Sequence, residues 1–218
     1  MTVSFQYVGF GPNPQLSDYQ DMWDYQRQVL DEVAAGERGP LVILTHHSPV
    51  YTAGRATAPE ERPKDGTPVV DVDRGGHITF HGPGQLVGYP IVHLADGVGV
   101  VDHVRRLEAA VIELLEGYGL HPVLIPGRTG VWFPSDGDRP DRKVCAIGVR
   151  VAKRTTMHGF ALNVLPNTER FSNIIPCGID DAGVTSLAEE KPGNWDVWKV
   201  GQDLEPILAR HLSEEITS

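Results

Sequence analysis

Arg74-Gly-Gly-His-Ile-Thr-Phe-His-Gly-Pro-Gly-Gln85 is the stretch on which the fold turns. Its two histidines, His77 and His81, stand four apart, a spacing that on a helix can hold a metal ion. A helix is excluded, because Ile78 and Thr79 are β-branched and Gly75, Gly76, Gly82, Pro83 and Gly84 surround them. Read as a strand, the segment puts His77, Thr79 and His81 on one face. No metal is expected there, since neither the spacing nor nearby carboxylates assemble a known site. The glycines let backbone approach a ligand closely or turn with positive φ. A glycine-rich turn on its own is equally compatible with a plain turn.

Outward from this segment the strand pattern continues. Val69–Asp73, His77–Phe80 and Leu86–His93 read as strands parted by glycine-rich turns, and Pro40–Leu44 as a short buried strand before them. Val123–Ile125, Val131–Phe133, Val144–Val151 and Met157–Asn163 add more, with 135–141 as a polar hairpin loop. Residues 54–68, rich in proline, charge and small residues, are expected to be an exposed loop. Three helices stand apart from these runs. The first has Ser17 as its expected N-cap with Gln20 closing a capping box, a stripe from Tyr19, Met22 and Trp23 to Val33, and Gly36 as its stop. The second carries Val104, Leu107, Val111, Leu114 and Leu115 and closes at Gly119, and the last spans Val200–Leu212. Strands in runs with helices set apart predict an α+β domain with a mixed or antiparallel sheet.

A chain of 218 residues with 40% hydrophobic and 22% charged residues can bury a full core as one domain, here residues 1–212, with 213–218 expected as a flexible tail. No apolar run reaches the length of a membrane span. Met1–Pro12 has neither a basic nor an apolar signal region, and two cysteines are too few for a disulfide scaffold, so a reducing, cytoplasmic setting is expected. The net charge of −10 argues against nucleic acid as a partner. Within it, Arg142, Lys143, Arg150, Lys153 and Arg154 cluster, either as a solvated strand end or as a patch for an acidic partner.

Two side chains stand out as chemical candidates. Lys143 sits at the mouth of an apolar strand; it is either a snorkelling surface residue or, if desolvated, a base. Cys177, between Pro176 and Gly178, falls on a turn, where a thiol can be accessible, whereas Cys145 lies within a strand pattern as a small hydrophobe.

At these residues the sequence resembles the lipoyl(octanoyl) transferases over nearly its whole length, about residues 5–212. The motifs that carry the resemblance are Thr45-His-His-Ser-Pro-Val-Tyr-Thr-Ala-Gly54, the Arg74–Gln85 segment, Lys143 with Ala146-Ile-Gly148, His158-Gly-Phe-Ala-Leu-Asn163 and Pro176-Cys-Gly-Ile179. Cys145 departs from the small residue that members commonly carry there. The resemblance implies the fold of the biotin and lipoate protein ligases, with Cys177 as acyl-carrying nucleophile and Lys143 as its base. It also implies an acyl pocket lined by Arg74, Gly75, Gly76, His77, Ile78, Thr79, Phe80 and His81, by Ala146, Ile147 and Gly148, and by Gly159, Phe160 and Ala161. His46 and His158 are candidate supporting residues. Backbone N–H groups near Gly178 or at the Gly75–Gly76 turn are candidate oxyanion donors.

The chemistry so implied moves octanoyl from the 4′-phosphopantetheine thioester of acyl carrier protein to a lysine of apo lipoyl domains. Those domains belong to 2-oxoacid dehydrogenases and the glycine cleavage H protein. No separate cofactor and no membrane are expected, and a monomer suffices. Thioester exchange is near neutral and amide formation is downhill, which agrees with a sequence lacking a G-x-x-x-x-G-K-[ST] phosphate loop. Three other readings stay open: an ATP-dependent lipoate or octanoate ligase on the same fold, a non-catalytic module that binds acyl proteins, and an amidotransferase that moves octanoyl between lipoyl-type domains.

Overall fold

The computed structural model describes residues 2–63, 66–165, 168–174 and 182–216. In chain order the elements are β1 (Ser4–Val8), α1 (Tyr19–Ala34), β2 (Leu41–Thr45), β3 (Val50–Ala53), β4 (Val69–Asp71), β5 (Thr79–His81), β6 (Gln85–Ile91) and α2 (Val100–Gly117). They continue with β7 (Val123–Ile125), β8 (Arg128–Phe133), β9 (Arg142–Ala152), β10 (Thr155–Asn163), β11 (Gly183–Val184), α3 (Leu187–Glu190) and α4 (Val197–Ser213). The main sheet has the order β1-β2-β6-β10-β9-β8-β7, with β11 also pairing β9, and a smaller sheet has the order β4-β3-β5. The β1–β2, β9–β11 and β3–β4 pairs are parallel and the others antiparallel, giving the mixed sheet expected.

Helices cover both faces of the main sheet. In β2, Val42 and Leu44 join the cluster beneath α2 and α4, while Leu41 and Ile43 join the one beneath α1. A strand covered on both faces needs an unbroken apolar run, which is why Leu41–Leu44 shows no alternation. The smaller sheet has its own core of Tyr51, Ile78, Phe80, Phe171 and Ile174, and it forms a roof over the α1 face. The β9–β10 hairpin turns through Lys153 and Arg154, both at positive φ (51° and 57°), the twist that a two-residue hairpin demands.

Several expectations need correction. The N-cap of α1 is Asp18, whose carboxylate accepts from the N–H of Gln20 (2.8 Å) and Asp21 (3.1 Å). Ser17 instead bonds the Thr45 hydroxyl at 2.8 Å and so ties the helix entry to β2. The strand expected at His77–Phe80 is Thr79–His81, because Arg74 holds the backbone of residues 75–77 in a turn. The loop after Ala53 is not simply exposed: Glu61 is buried and its carboxylate meets His77 Nδ1 at 2.9 Å. The tail expected to be flexible from Ser213 is anchored through Glu215, while Ser213 and Glu214 are exposed. Ser213 ends α4, and Glu215 is fully buried against His103 at 2.5 Å. Residues 217 and 218 lie outside the described residues.

Candidate active site

A cavity of about 430 Å³ opens between the roof and the α1 face of the sheet. Its floor comes from adjacent strands, with Ala146, Ile147 and Gly148 on β9 beside Gly159, Phe160 and Ala161 on β10. Its roof comes from Arg74 and residues 76–79, and Lys143 lines it as well.

Arg74 builds the roof. Its guanidinium donates to the carbonyls of Gly75 (3.0 Å), His77 (2.8 Å) and Thr52 (2.7 Å) and to the Thr52 hydroxyl (2.9 Å). A planar fork with several donors can pin three carbonyls at once, which an ammonium cannot. The contact is close on both sides. A Cβ on Gly54 would stand 2.7 Å from this guanidinium and 2.3 Å from the Gly76 carbonyl, and one on Gly148 would stand 3.0 Å from Arg74 Cδ.

From Arg74 a polar chain runs under the roof to the backbone of Lys143. Gln85 Nε2 donates to the Phe80 carbonyl (3.0 Å) and to Asn163 Oδ1 (2.9 Å), so its Oε1 accepts from His81 Nδ1 (3.1 Å). The proton on Nδ1 leaves His81 Nε2 as acceptor for the Thr52 hydroxyl at 3.3 Å. Asn163 Nδ2 donates to the Thr185 carbonyl (3.0 Å), and the Thr185 N–H donates to the Lys143 carbonyl (3.0 Å). Burial lowers the His81 pKa to about 3, and the nearby Arg74 guanidinium pushes it the same way, so this imidazole is neutral. His77 and His81 therefore serve different partners and do not converge on one point.

His158 is held in an unusual way. Its φ is +58°, its side chain is buried, its backbone N–H donates to Gln26 Oε1 (3.0 Å), and its Nε2 meets the Asp73 carboxylate at 2.8 Å. Burial lowers its pKa although Asp73 opposes the shift. Arg150 also pairs with Asp73. His46 is not among the cavity residues; it stacks on Phe10 with centroids 4.5 Å apart and its Nε2 bonds the Gly9 carbonyl at 3.0 Å.

Lys143 is 8% exposed, its Nζ lies 4.6 Å from the Trp132 ring centroid, and it pairs across the sheet edge with Val184 of β11. Cys177 lies outside the described residues. Cys145 is fully buried, and burial pushes its thiol well above the usual range, so it is an inert core residue. Gly75 and Phe80 are not on the cavity wall. The Gly75 N–H is bonded to the Val149 carbonyl (3.2 Å), which removes it as an oxyanion donor, and Phe80 points into the roof core. The wall residues that sequence reasoning missed are Tyr19, Val87, Tyr89, Gly127, Arg128 and Thr129.

The five clustered cations do not form one surface. Arg142 is buried on Glu190 (2.6 Å), Lys143 faces the cavity, Lys153 pairs with Asp31 (3.0 Å) and Arg154 with Asp96 (3.4 Å), while Arg150 is held by Asp73.

This covered mixed sheet is the fold of the lipoate and biotin protein ligases. A bipartite lipoate protein ligase from Thermoplasma acidophilum aligns with a TM-score of 0.68, 15% identity and 97% of this chain against 83% of its own. Lipoate-protein ligase A bound with ATP aligns at 0.62, with 14% identity, 98% of this chain and 84% of its own. At those identities the likeness is one of fold. The chain belongs to the lipoyl protein ligase A/B catalytic-domain family, which matches residues 18–208, and to its octanoyltransferase members. The octanoyltransferase of Cutibacterium acnes is 56% identical over 97% of this chain and 80% of its own length. That of Mycobacterium avium is 60% identical over 79% of this chain and 74% of its own. Among the described residues no helix is long and apolar enough to cross a membrane.

Proposed function

We propose that this acyltransferase moves an octanoyl group from the phosphopantetheine thioester of acyl carrier protein to the lysine of an apo lipoyl domain, through a thioester on Cys177. The observation that carries the reading is the placement of Lys143 on the wall of a largely apolar cavity, beside the strand that follows the Cys177 segment. Gly183, six positions beyond Cys177, pairs with Arg142, and six residues of chain span at most about 20 Å.

In the first half-reaction Lys143 Nζ takes the proton of the Cys177 thiol, and the thiolate attacks the carbonyl carbon of the donor. Collapse of the tetrahedral adduct breaks the bond to the pantetheine sulfur, which leaves with the proton from Lys143. In the second, the substrate lysine amine attacks the Cys177 thioester. Lys143 accepts the amine proton and returns it to the departing Cys177 sulfur. Each thioester bond broken is matched by an acyl bond formed, so no nucleotide or metal enters the balance.

Intact-protein mass spectrometry tests this directly, with octanoyl-carrier protein as donor and ATP omitted. The expected result is a gain of one octanoyl group, absent in Cys177→Ser and discharged by apo lipoyl domain. Transfer that occurs only with free octanoate and ATP would overturn the reading in favour of a ligase.

A further inference from the structure

We infer that Val87 and Tyr89 on β6 are the end stop that sets how long an acyl chain the cavity accepts, an inference that rests on the acyl-transfer reading above. Ala146 on β9 pairs with Ala161 on β10, and Ala161 pairs with Val87 on β6, so the three make one row straight across the sheet. All three line the cavity. The row runs small, small, large. A chain lying on it starts at the Lys143 side, crosses two methyl-sized side chains without obstruction, and meets the first branched residue at β6.

Two inter-strand spacings separate Ala146 from Val87, about 10 Å, which an extended chain of about eight carbons spans. The wall beyond is rigid. Val87 is 1% and Tyr89 3% exposed, and both pack in the core beneath α1. The Tyr89 hydroxyl is bound to His47 Nε2 at 2.8 Å, and Tyr19 stacks on His81 with ring centroids 5.8 Å apart. Although this end is built from tyrosines and histidines, both nitrogens of His47 and of His81 and the Tyr89 hydroxyl are engaged with protein partners. The wall therefore presents ring faces to the terminal methyl group.

The test measures kcat/KM for acyl-carrier donors of graded chain length, with six, eight, ten and twelve carbons. In the unaltered enzyme the eight-carbon donor should lead. Val87→Ala should raise the ten-to-eight ratio about tenfold, the lower end of what one methylene is worth in an apolar pocket. Ala161→Val should move the six-to-eight ratio the other way by a similar factor. Thermal melting confirms that each variant is folded. Folded variants with unchanged length ratios but intact transfer overturn the end stop and leave the acyl-transfer reading standing. Failure of the unaltered enzyme with every donor overturns that reading itself.

Discussion

His47 Nε2 accepts the Tyr89 hydroxyl proton at 2.8 Å, at the point where helix, sheet and cavity wall meet. The direction follows from the other nitrogen: His47 Nδ1 faces the Ser17 carbonyl at 3.2 Å, which can only accept, so Nδ1 carries the proton. The imidazole is thus neutral by design of its surroundings, and burial lowers its pKa to about 4. Its neighbour His81, 5.9 Å away between ring centroids, is neutral for the same reason.

These two imidazoles make stability depend on pH. Their ordinary pKa is 6.5, while the folded values are about 4 and about 3. As pH falls below 6.5 the unfolded chain binds protons that the folded chain refuses, so stability declines with falling pH through this window. Urea midpoints measured from pH 7 to pH 4 should fall, and a His47→Gln variant should show the shallower slope. Equal slopes in the two proteins would remove His47 from the account.

Removing the Tyr89 hydroxyl leaves a buried acceptor on His47 without its donor. Tyr89→Phe should cost about 1–3 kcal/mol, the penalty of an unsatisfied buried polar group. Chemical denaturation should show it at pH 7, with the His47 slope retained.

Two glycines should respond to alanine with opposite signs. A Cβ on Gly88 would sit 2.2 Å from Phe160 Cζ, and Phe160 is 2% exposed in the core between the sheet and α2. The ring must shift against its core neighbours, so Gly88→Ala should destabilise by about 1–3 kcal/mol through overpacking. Gly117 ends α2 with nothing within 4 Å of the added carbon. There Gly117→Ala should stabilise by about 0.5 kcal/mol, from lost freedom in the unfolded chain. Paired thermal melts decide both.

How far this was legible in the sequence depends on whether the deciding interaction was local. The apolar run Leu41–Leu44 and the polar loop at 135–141 declared their strands and hairpin, because burial and turn chemistry act within a few residues. Ser17 and Asp18 are both good caps, and only the backbone angles of Asp18 decide between them. Most of the floor and roof of the cavity came through family motifs. Val87 escaped notice because strand register across β6, β10 and β9 brings it there, and Tyr19 because the packing of α1 on the sheet does; no short window encodes either. The run of cations from Arg142 to Arg154 was left between two readings for a related reason. Its partners Asp31, Asp73, Asp96 and Glu190 are distant in sequence and meet it only in the fold.

Arg74→Lys should be far from conservative. A lysine can replace the charge but not the four bonds to Gly75, His77 and Thr52, and the roof backbone would lose its tie to β3. Loss of bonds from a buried charged donor should cost about 2–4 kcal/mol. Because the roof shapes the cavity, KM for the octanoyl donor should rise together with the fall in melting temperature. A variant with normal stability and normal KM would show that the roof does not depend on this side chain.

The two thiols should separate cleanly in an alkylation experiment. Cys145 is fully buried within β9, its Sγ donates to the Ala146 carbonyl at 3.6 Å, and burial holds its pKa far above the usual range. Neither access nor thiolate is available to it in the folded protein. Cys177 as nucleophile requires both. Iodoacetamide at pH 7 should therefore add one group to the native protein, at Cys177, and a second, at Cys145, only in urea. Octanoyl-carrier protein added first should protect Cys177, and Lys143→Met should slow its labelling by removing the base. Native labelling at Cys145, or a rate at Cys177 indifferent to Lys143, would contradict the assigned roles of these residues.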